Sequence, residues 1–196
     1  NKVNLLILRS EKNILISLKR AKITAQSVQI STISKDVALL SISSFSISTA
    51  SQVQKLLSKT PHSKGVIIDL RNNPGGIVEE AVCVARQFIN GGIIVSYQKD
   101  SGEKVIFEST ESGADQAPLI ILINSSTASA AEILAAALQD RNRAVILGEK
   151  SYGKGTVQNV VPLNNIVRSS EFGDLGALKL TTQKFYRING GSTQLK

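Results

Sequence analysis

Leu119-Ile120-Ile121-Leu122-Ile123-Asn124-Ser125-Ser126-Thr127-Ala128-Ser129-Ala130-Ala131-Glu132 passes from an apolar run through a polar turn into an alanine-rich segment. The branched residues at 119–123, closed off by turn residues, read as a buried strand. The segment from about Ala128 to Gln139 reads as a helix, since alanine has the highest helix propensity. A strand that delivers into a helix holds the junction side chains rigidly and leaves them accessible. The helix N-terminus adds unpaired N–H groups and positive dipole character. An oxyanion formed beside Ser129 would meet donors already aimed at it. The plainer reading is capping, because Ser and Thr oxygens accept backbone N–H bonds at helix starts. From this segment alone, capping is the simpler account.

The same alternation continues on both sides. Gly65–Leu70 is an apolar run before a Pro-Gly turn, and Ala144–Leu147 is another short apolar run. Val78, Ala81, Val82, Ala85, Phe88 and Ile89 recur at helical spacing up to Asn90-Gly91-Gly92. Ala50, Val53, Leu56 and Leu57 do the same, with Thr49 or Ser51 available as a cap. Val37–Ser44, Ile93–Gln98, Lys104–Glu108, Thr156–Pro162 and Ala177–Tyr186 read as further strands. Val3–Arg9 and Ile14–Lys19 read as a hairpin, and Ala21–Asp36 as a linker or an edge strand. Strands alternating with helices predict an α/β domain.

Two other segments carry chemistry. In Gly148-Glu149-Lys150-Ser151-Tyr152-Gly153-Lys154-Gly155-Thr156-Val157-Gln158, Lys154 lies between two glycines. If a strand starts there, Lys154, Thr156 and Gln158 share a face by period two, and Gln158 can orient the amine. An exposed turn lysine is the plainer alternative. The string is similar to a phosphate loop but lacks its spacing, because Gly155 follows Lys154. Asp69-Leu70-Arg71-Asn72-Asn73-Pro74-Gly75-Gly76 reads as a strand, a tight turn and a helix start. Its glycines allow backbone N–H groups to converge on an anion. A purely structural turn would also contain Pro and Gly.

Composition narrows the chemistry. The chain has 196 residues, 42% hydrophobic and 19% charged, enough for one full domain with a real core. Aromatics are 4%, so the core should rest on Val, Ile, Leu and Ala. The formal charge is +8, with Lys2, Arg9, Lys12, Lys19, Arg20, Lys22 and Lys35 against Glu11 alone at the start. These charges punctuate strand-like runs without a nucleic-acid motif, so solvated strand faces are expected and nucleic acid is not. Cys83 is the single cysteine, which excludes an internal disulfide and argues against a cysteine-based zinc site. Its apolar neighbours suggest a small buried hydrophobe. His62 is the single histidine, in an apparently exposed loop, and no Gly-x-Ser-x-Gly elbow accompanies it. A hydrolase built from these residues would use lysine as its base and need no metal or cofactor. No apolar run approaches the roughly 18 residues of a membrane span. No signal peptide is read at Asn1, and without an initiating Met the chain is expected to be a piece of a longer protein.

Together the three segments resemble the C-terminal processing peptidases, or tail-specific proteases. The resemblance runs from about Lys22 to the end. It rests on 69–76, on Ser126–Ile133 and on Gly148–Gln158, in order, and extends to a late strand over Gly176–Tyr186. Ser129 and Lys154 are 25 residues apart (154 − 129), which suits the family's serine and lysine. The resemblance implies Ser129 as nucleophile, Lys154 as general base, Gln158 as its support, and Gly75 with the amide of Ala130 as oxyanion-hole donors. Thr127 stands where a serine is more usual, and both carry a hydroxyl. The implied fold is a crotonase-like mixed sheet-and-helix core over residues 21–196, truncated at its C-terminal end. Residues 1–20 would be the C-terminal hairpin of a PDZ domain. The implied activity is a serine endopeptidase acting near substrate C-termini through a Ser-Lys dyad, in a bacterial envelope, periplasmic or membrane-associated, or in an organellar lumen. Partners would be proteins or peptides with exposed C-termini, with a homo-oligomer or regulatory partner left open. The alternative is a non-catalytic peptide-binding or scaffolding relative of the same fold.

Overall fold

Backbone hydrogen bonding organises the described residues into eleven strands and three α-helices. In the computed structural model, residues 2–21, 26–62, 64–99, 101–110, 112–167 and 173–195 are described. In chain order the elements are β1 (Lys2–Arg9), β2 (Lys12–Lys19), β3 (Val28–Ser34), β4 (Val37–Ile42), α1 (Thr49–Leu57), β5 (Gly65–Asp69) and α2 (Val78–Arg86). Then follow β6 (Gly92–Lys99), β7 (Lys104–Ser109), β8 (Leu119–Ile123), α3 (Ala130–Asp140), β9 (Val145–Gly148), β10 (Thr156–Pro162) and β11 (Ala177–Tyr186).

The site is positioned by a five-stranded sheet of order β3-β4-β5-β8-β9. β3 pairs antiparallel with β4, and the β4–β5, β5–β8 and β8–β9 ladders are parallel. Parallel neighbours require crossovers. Here α1 links β4 to β5, and α3 links β8 to β9. The crossover from β5 to β8 holds α2 and the β6–β7 hairpin, and that hairpin joins a second, antiparallel sheet of order β10-β11-β6-β7. Because β5 and β8 run side by side, the turns after Asp69 and after Ile123 leave the same end of the sheet. That end is where open α/β sheets carry their sites.

One core joins both sheets and all three helices. Leu40, Ile68, Ile121, Leu134 and Leu138 are fully buried within it. Aliphatic residues dominate as expected, but Phe45, Phe88 and Phe185 are also among its largest fully buried side chains.

Several local expectations needed correction. α3 starts at Ala130, not Ala128, because Ser129 has φ 56° and leaves the helical region. α1 is preceded by Ser48, not by a capping Thr49 or Ser51. Its first amides are served by Glu80 of α2, which accepts from Ser48 N–H at 3.1 Å and Ala50 N–H at 2.8 Å. The tertiary partner thus replaces the local cap. α2 stops at Arg86, although Phe88 and Ile89 beyond it stay buried. In the expected linker, the edge-strand alternative holds from Val28 as β3, while residues 22–25 lie outside the described residues. Cys83 is half-buried rather than enclosed.

The hairpin β1–β2 forms a two-stranded sheet of its own. Val3, Leu5 and Ile7 stand opposite Leu18, Ile16 and Ile14, which puts six apolar side chains on one face.

Because Leu134 is fully buried in the core, Leu134→Ala is expected to destabilise the protein by about 2–5 kcal/mol. Denaturant melts of both proteins measure this. A loss well under 1 kcal/mol would mean that α3 is not central to the core.

Candidate active site

Ser129 occupies the turn between β8 and α3 with φ 56° and ψ −120°. A non-glycine residue stays in this region only when its surroundings hold it there. The small neighbours Ala128 and Ala130 help, and the remaining space comes from another segment. A Cβ built on Gly75 would lie 2.7 Å from Ser129 Cβ, 2.8 Å from Ala128 O and 2.9 Å from Ala130 N. Gly75 has φ 99°, so both backbone conformation and contact demand glycine. The glycine clearance that a nucleophile elbow keeps within its own motif is therefore supplied across the site. Ala130 is the first residue of α3, and among the described residues its N–H has no partner.

The two turns are laced together. Asn72 and Asn124 bond reciprocally, Asn72 N–H to Asn124 Oδ1 at 2.9 Å and Asn124 Nδ2 to Asn72 Oδ1 at 2.9 Å. Thr127 is fully buried and donates its hydroxyl to Leu70 O at 2.8 Å. Its carbonyl accepts from Tyr152 N–H at 2.9 Å, tying in the segment that carries Lys154. Asp69 holds Arg71 in a two-pronged pair, Nε to Oδ1 at 2.9 Å and Nη2 to Oδ2 at 2.7 Å. Bonding to that guanidinium keeps the Asp69 carboxyl below its ordinary range, against the opposing effect of burial.

Glu132 joins the Ser129 turn to the Lys154 segment. Its side chain is buried, and its two oxygens accept four hydrogen bonds. Oε2 takes the N–H of Ser129 at 2.8 Å and the N–H of Lys154 at 2.8 Å. Oε1 takes the N–H of Gly153 at 2.7 Å and the hydroxyl of Ser151 at 2.7 Å. A buried carboxylate is tolerable when its lone pairs are filled in this way. Sequence reading assigned Glu132 no role. Its signal was present as Ser129-Ala130-Ala131-Glu132, a Ser-x-x-Glu helix start whose glutamate reaches back to the first residue.

Among the sequence-derived candidates, Gly75, Ser129 and Ala130 are in mutual contact. Lys154 Nζ reaches Gln158 Oε1 at 3.5 Å, the outer limit of a hydrogen bond. β10 begins only at Thr156, so Lys154 precedes the strand and strand alternation does not set its direction. The register with β11 shifts between Val157 and Gln158, where Thr182 is the extra residue on the β11 side. Ser129 and Lys154 share no direct hydrogen bond and are joined through Glu132. No carboxylate of the described residues pairs with Lys154 Nζ. The Gly75 N–H is engaged, donating to Asn73 Oδ1 at 2.8 Å.

His62 lies elsewhere. It is not in an open loop; its side chain is 21% exposed, and Nε2 pairs with Asp115 Oδ2 at 2.6 Å. Both line a cavity of about 520 Å³ with Cys83 and Arg86, and neither Ser129 nor Lys154 borders it. No group of three or more His, Cys, Asp or Glu among the described residues could hold a metal ion. No helix among them is long and apolar enough to cross a membrane.

The chain is 41% identical over 180 residues to the tail-specific protease of Haemophilus influenzae, covering 90% of this chain and 25% of that protein. It is 33% identical over 181 residues to the carboxy-terminal processing protease CtpA of Bacillus subtilis, covering 91% and 37%. The solved photosystem II D1 C-terminal processing protease superposes with a TM-score of 0.74 at 28% identity, over 93% of this chain and 49% of that one. The chain thus spans between a quarter and about two fifths of these curated relatives' lengths. Residues 36–196 match Peptidase family S41, and the chain belongs to that family.

Proposed function

We propose that this chain is the catalytic core of a serine endopeptidase that cleaves protein substrates near their C-termini. Ser129 attacks the scissile carbonyl, and neutral Lys154 takes its proton. Lys154 then protonates the leaving amine, and water releases the acyl group from Ser129. Gln158 orients the lysine amine. The amides of Ala130 and Gly75 receive the oxyanion, at a helix start where such charge is favoured. No metal or organic cofactor enters these steps.

One observation carries this reading: Glu132 ties the strained Ser129 turn and the Lys154 backbone to one carboxylate. That linkage suits a serine and a lysine that must act on one bond. The missing direct bond between the two residues is the gap that substrate binding would close, since catalytic hydrogen bonds commonly tighten in the complex. The names of the curated relatives support the C-terminal preference, and their organisms are bacteria. The apolar face of β1–β2, unpartnered among the described residues, supports reading residues 1–20 as the end of a PDZ domain that would hold substrate tails. The engaged Gly75 N–H favours the rival reading, a peptide-binding relative without turnover.

Ser129→Ala is expected to lower kcat on the order of 10⁴-fold or more with the fold intact. Lys154→Arg should be equally inactive, because a guanidinium stays charged and accepts no proton. Steady-state peptide hydrolysis measures both. Near-native turnover in Ser129→Ala would exclude the serine, and substantial turnover in Lys154→Arg would exclude the lysine as base. Glu132→Gln replaces one acceptor oxygen with an NH₂ group that faces backbone donors. It should lower kcat by about a hundredfold, the scale of a small misplacement of reacting groups. A kcat within twofold of native would show that the linkage does not position the pair.

A further inference from the structure

We propose that Asn73 is a positioning residue that sets the Gly75 amide for oxyanion binding. The inference rests on the Ser129 reading above and concerns a residue that reading leaves unused.

Asn73 is fully buried and its four hydrogen bonds join its own turn to the end of β4 and to the 124–129 turn. Its Nδ2 donates to Ile42 O at the end of β4, at 2.8 Å. Its Oδ1 accepts the Gly75 N–H at 2.8 Å, across Pro74. Its own N–H donates to Leu70 O at 3.2 Å, and its carbonyl accepts the N–H of Ala128 at 2.9 Å. The two side-chain partners fix which end of the amide is which, since one is an acceptor and the other a donor. A buried asparagine with both side-chain polar atoms paired is costly to disturb.

The geometry gives this clamp a catalytic consequence. Gly75 packs its Cα against Ser129 Cβ and Ala130 N, so a small rotation of the Pro74–Gly75 peptide changes what the oxyanion would meet. Asn73 Oδ1 holds the Gly75 N–H as a stand-in acceptor while no substrate is present. Its bond passes to the substrate oxygen as negative charge develops there, because a charged acceptor binds an N–H more strongly than a neutral amide oxygen. The turn is then already ordered when the transition state forms, which is what makes such donors effective.

The test compares Asn73→Ala with Asn73→Ser in the full-length protease. A serine hydroxyl can accept the N–H two residues on, more weakly than asparagine, but it does not replace the link to Ile42. The readouts are kcat, KM and affinity for a peptide boronic acid, which forms a tetrahedral adduct on the nucleophilic serine. Asn73→Ala should lose about tenfold to a hundredfold in kcat with KM within twofold. Boronate affinity should fall by the same factor, and Asn73→Ser should recover a clear part of both. If the alanine variant does not fold, the serine variant against native protein still reads kcat against KM and boronate affinity.

Native or raised kcat in Asn73→Ala would make Asn73 a bystander or a competitor and overturn the proposal. So would equal losses in both variants, or losses shared by KM and stability, which a purely structural tie to β4 would produce. Failure of the Ser129 reading is separately visible, since Ser129→Ala would then keep its activity.

Discussion

Glu132 accepts the backbone N–H groups of Ser129 and Lys154 on one oxygen, and those of Gly153 and the Ser151 hydroxyl on the other. The rest of the site depends on this arrangement. Lys154 belongs to the connection between β9 and β10, which leaves one sheet and enters the other. Such a connection has no ladder to fix it. The carboxylate does so from the first turn of α3, a helix whose own position is set by Leu134 and Leu138 in the core. Packing of aliphatic side chains is thereby converted into placement of Ser129 and the Lys154 backbone. Ser129 in turn is held outside the helical region, where the N–H to Glu132 bond and the glycine clearance from Gly75 offset its strain.

The sheet explains why these segments meet at all. Parallel pairing of β5 with β8 brings the 70–76 turn and the 124–129 turn out side by side. Asn72, Asn124 and Thr127 then close the gap with polar bonds that only adjacent strand ends could share. Asn73 adds the neighbouring strand β4 to the same cluster. Gly75, Ser129 and Ala130 therefore sit at adjacent strand ends and a helix start, while Lys154 sits on the β9–β10 connection that Glu132 holds. That suits a site whose groups must hold their geometry before substrate arrives.

Much of this was legible in the sequence. The apolar runs at 65–70 and 119–123 have the length and boundaries of buried strands, and both became strands of the parallel sheet. The family resemblance named Gly75, Ser129 and Ala130 together, and the three do lie side by side. What failed did so for tertiary reasons. Ser129 counts as a helix residue by propensity, yet a partner 54 positions earlier (129 − 75) provides the room that lets it leave the helix. The amides at the start of α1 were assigned to a local hydroxyl, but Glu80 of α2 takes them. His62 and Cys83 were judged from their neighbours in sequence. Their exposure is decided by a cavity between α1, α2 and the 112–115 segment. The extra residue of β11 at Thr182 could not be read, because it shows only in the pairing with β10.

The account stands or falls on Ser129 being a nucleophile activated by Lys154. The most direct measurement is reaction of the protein with a fluorophosphonate, followed by peptide mapping by mass spectrometry. A single adduct on the peptide containing Ser129, lost in Lys154→Ala, is the predicted result. An adduct on another serine, or no adduct under conditions where the protein hydrolyses peptides, would contradict it.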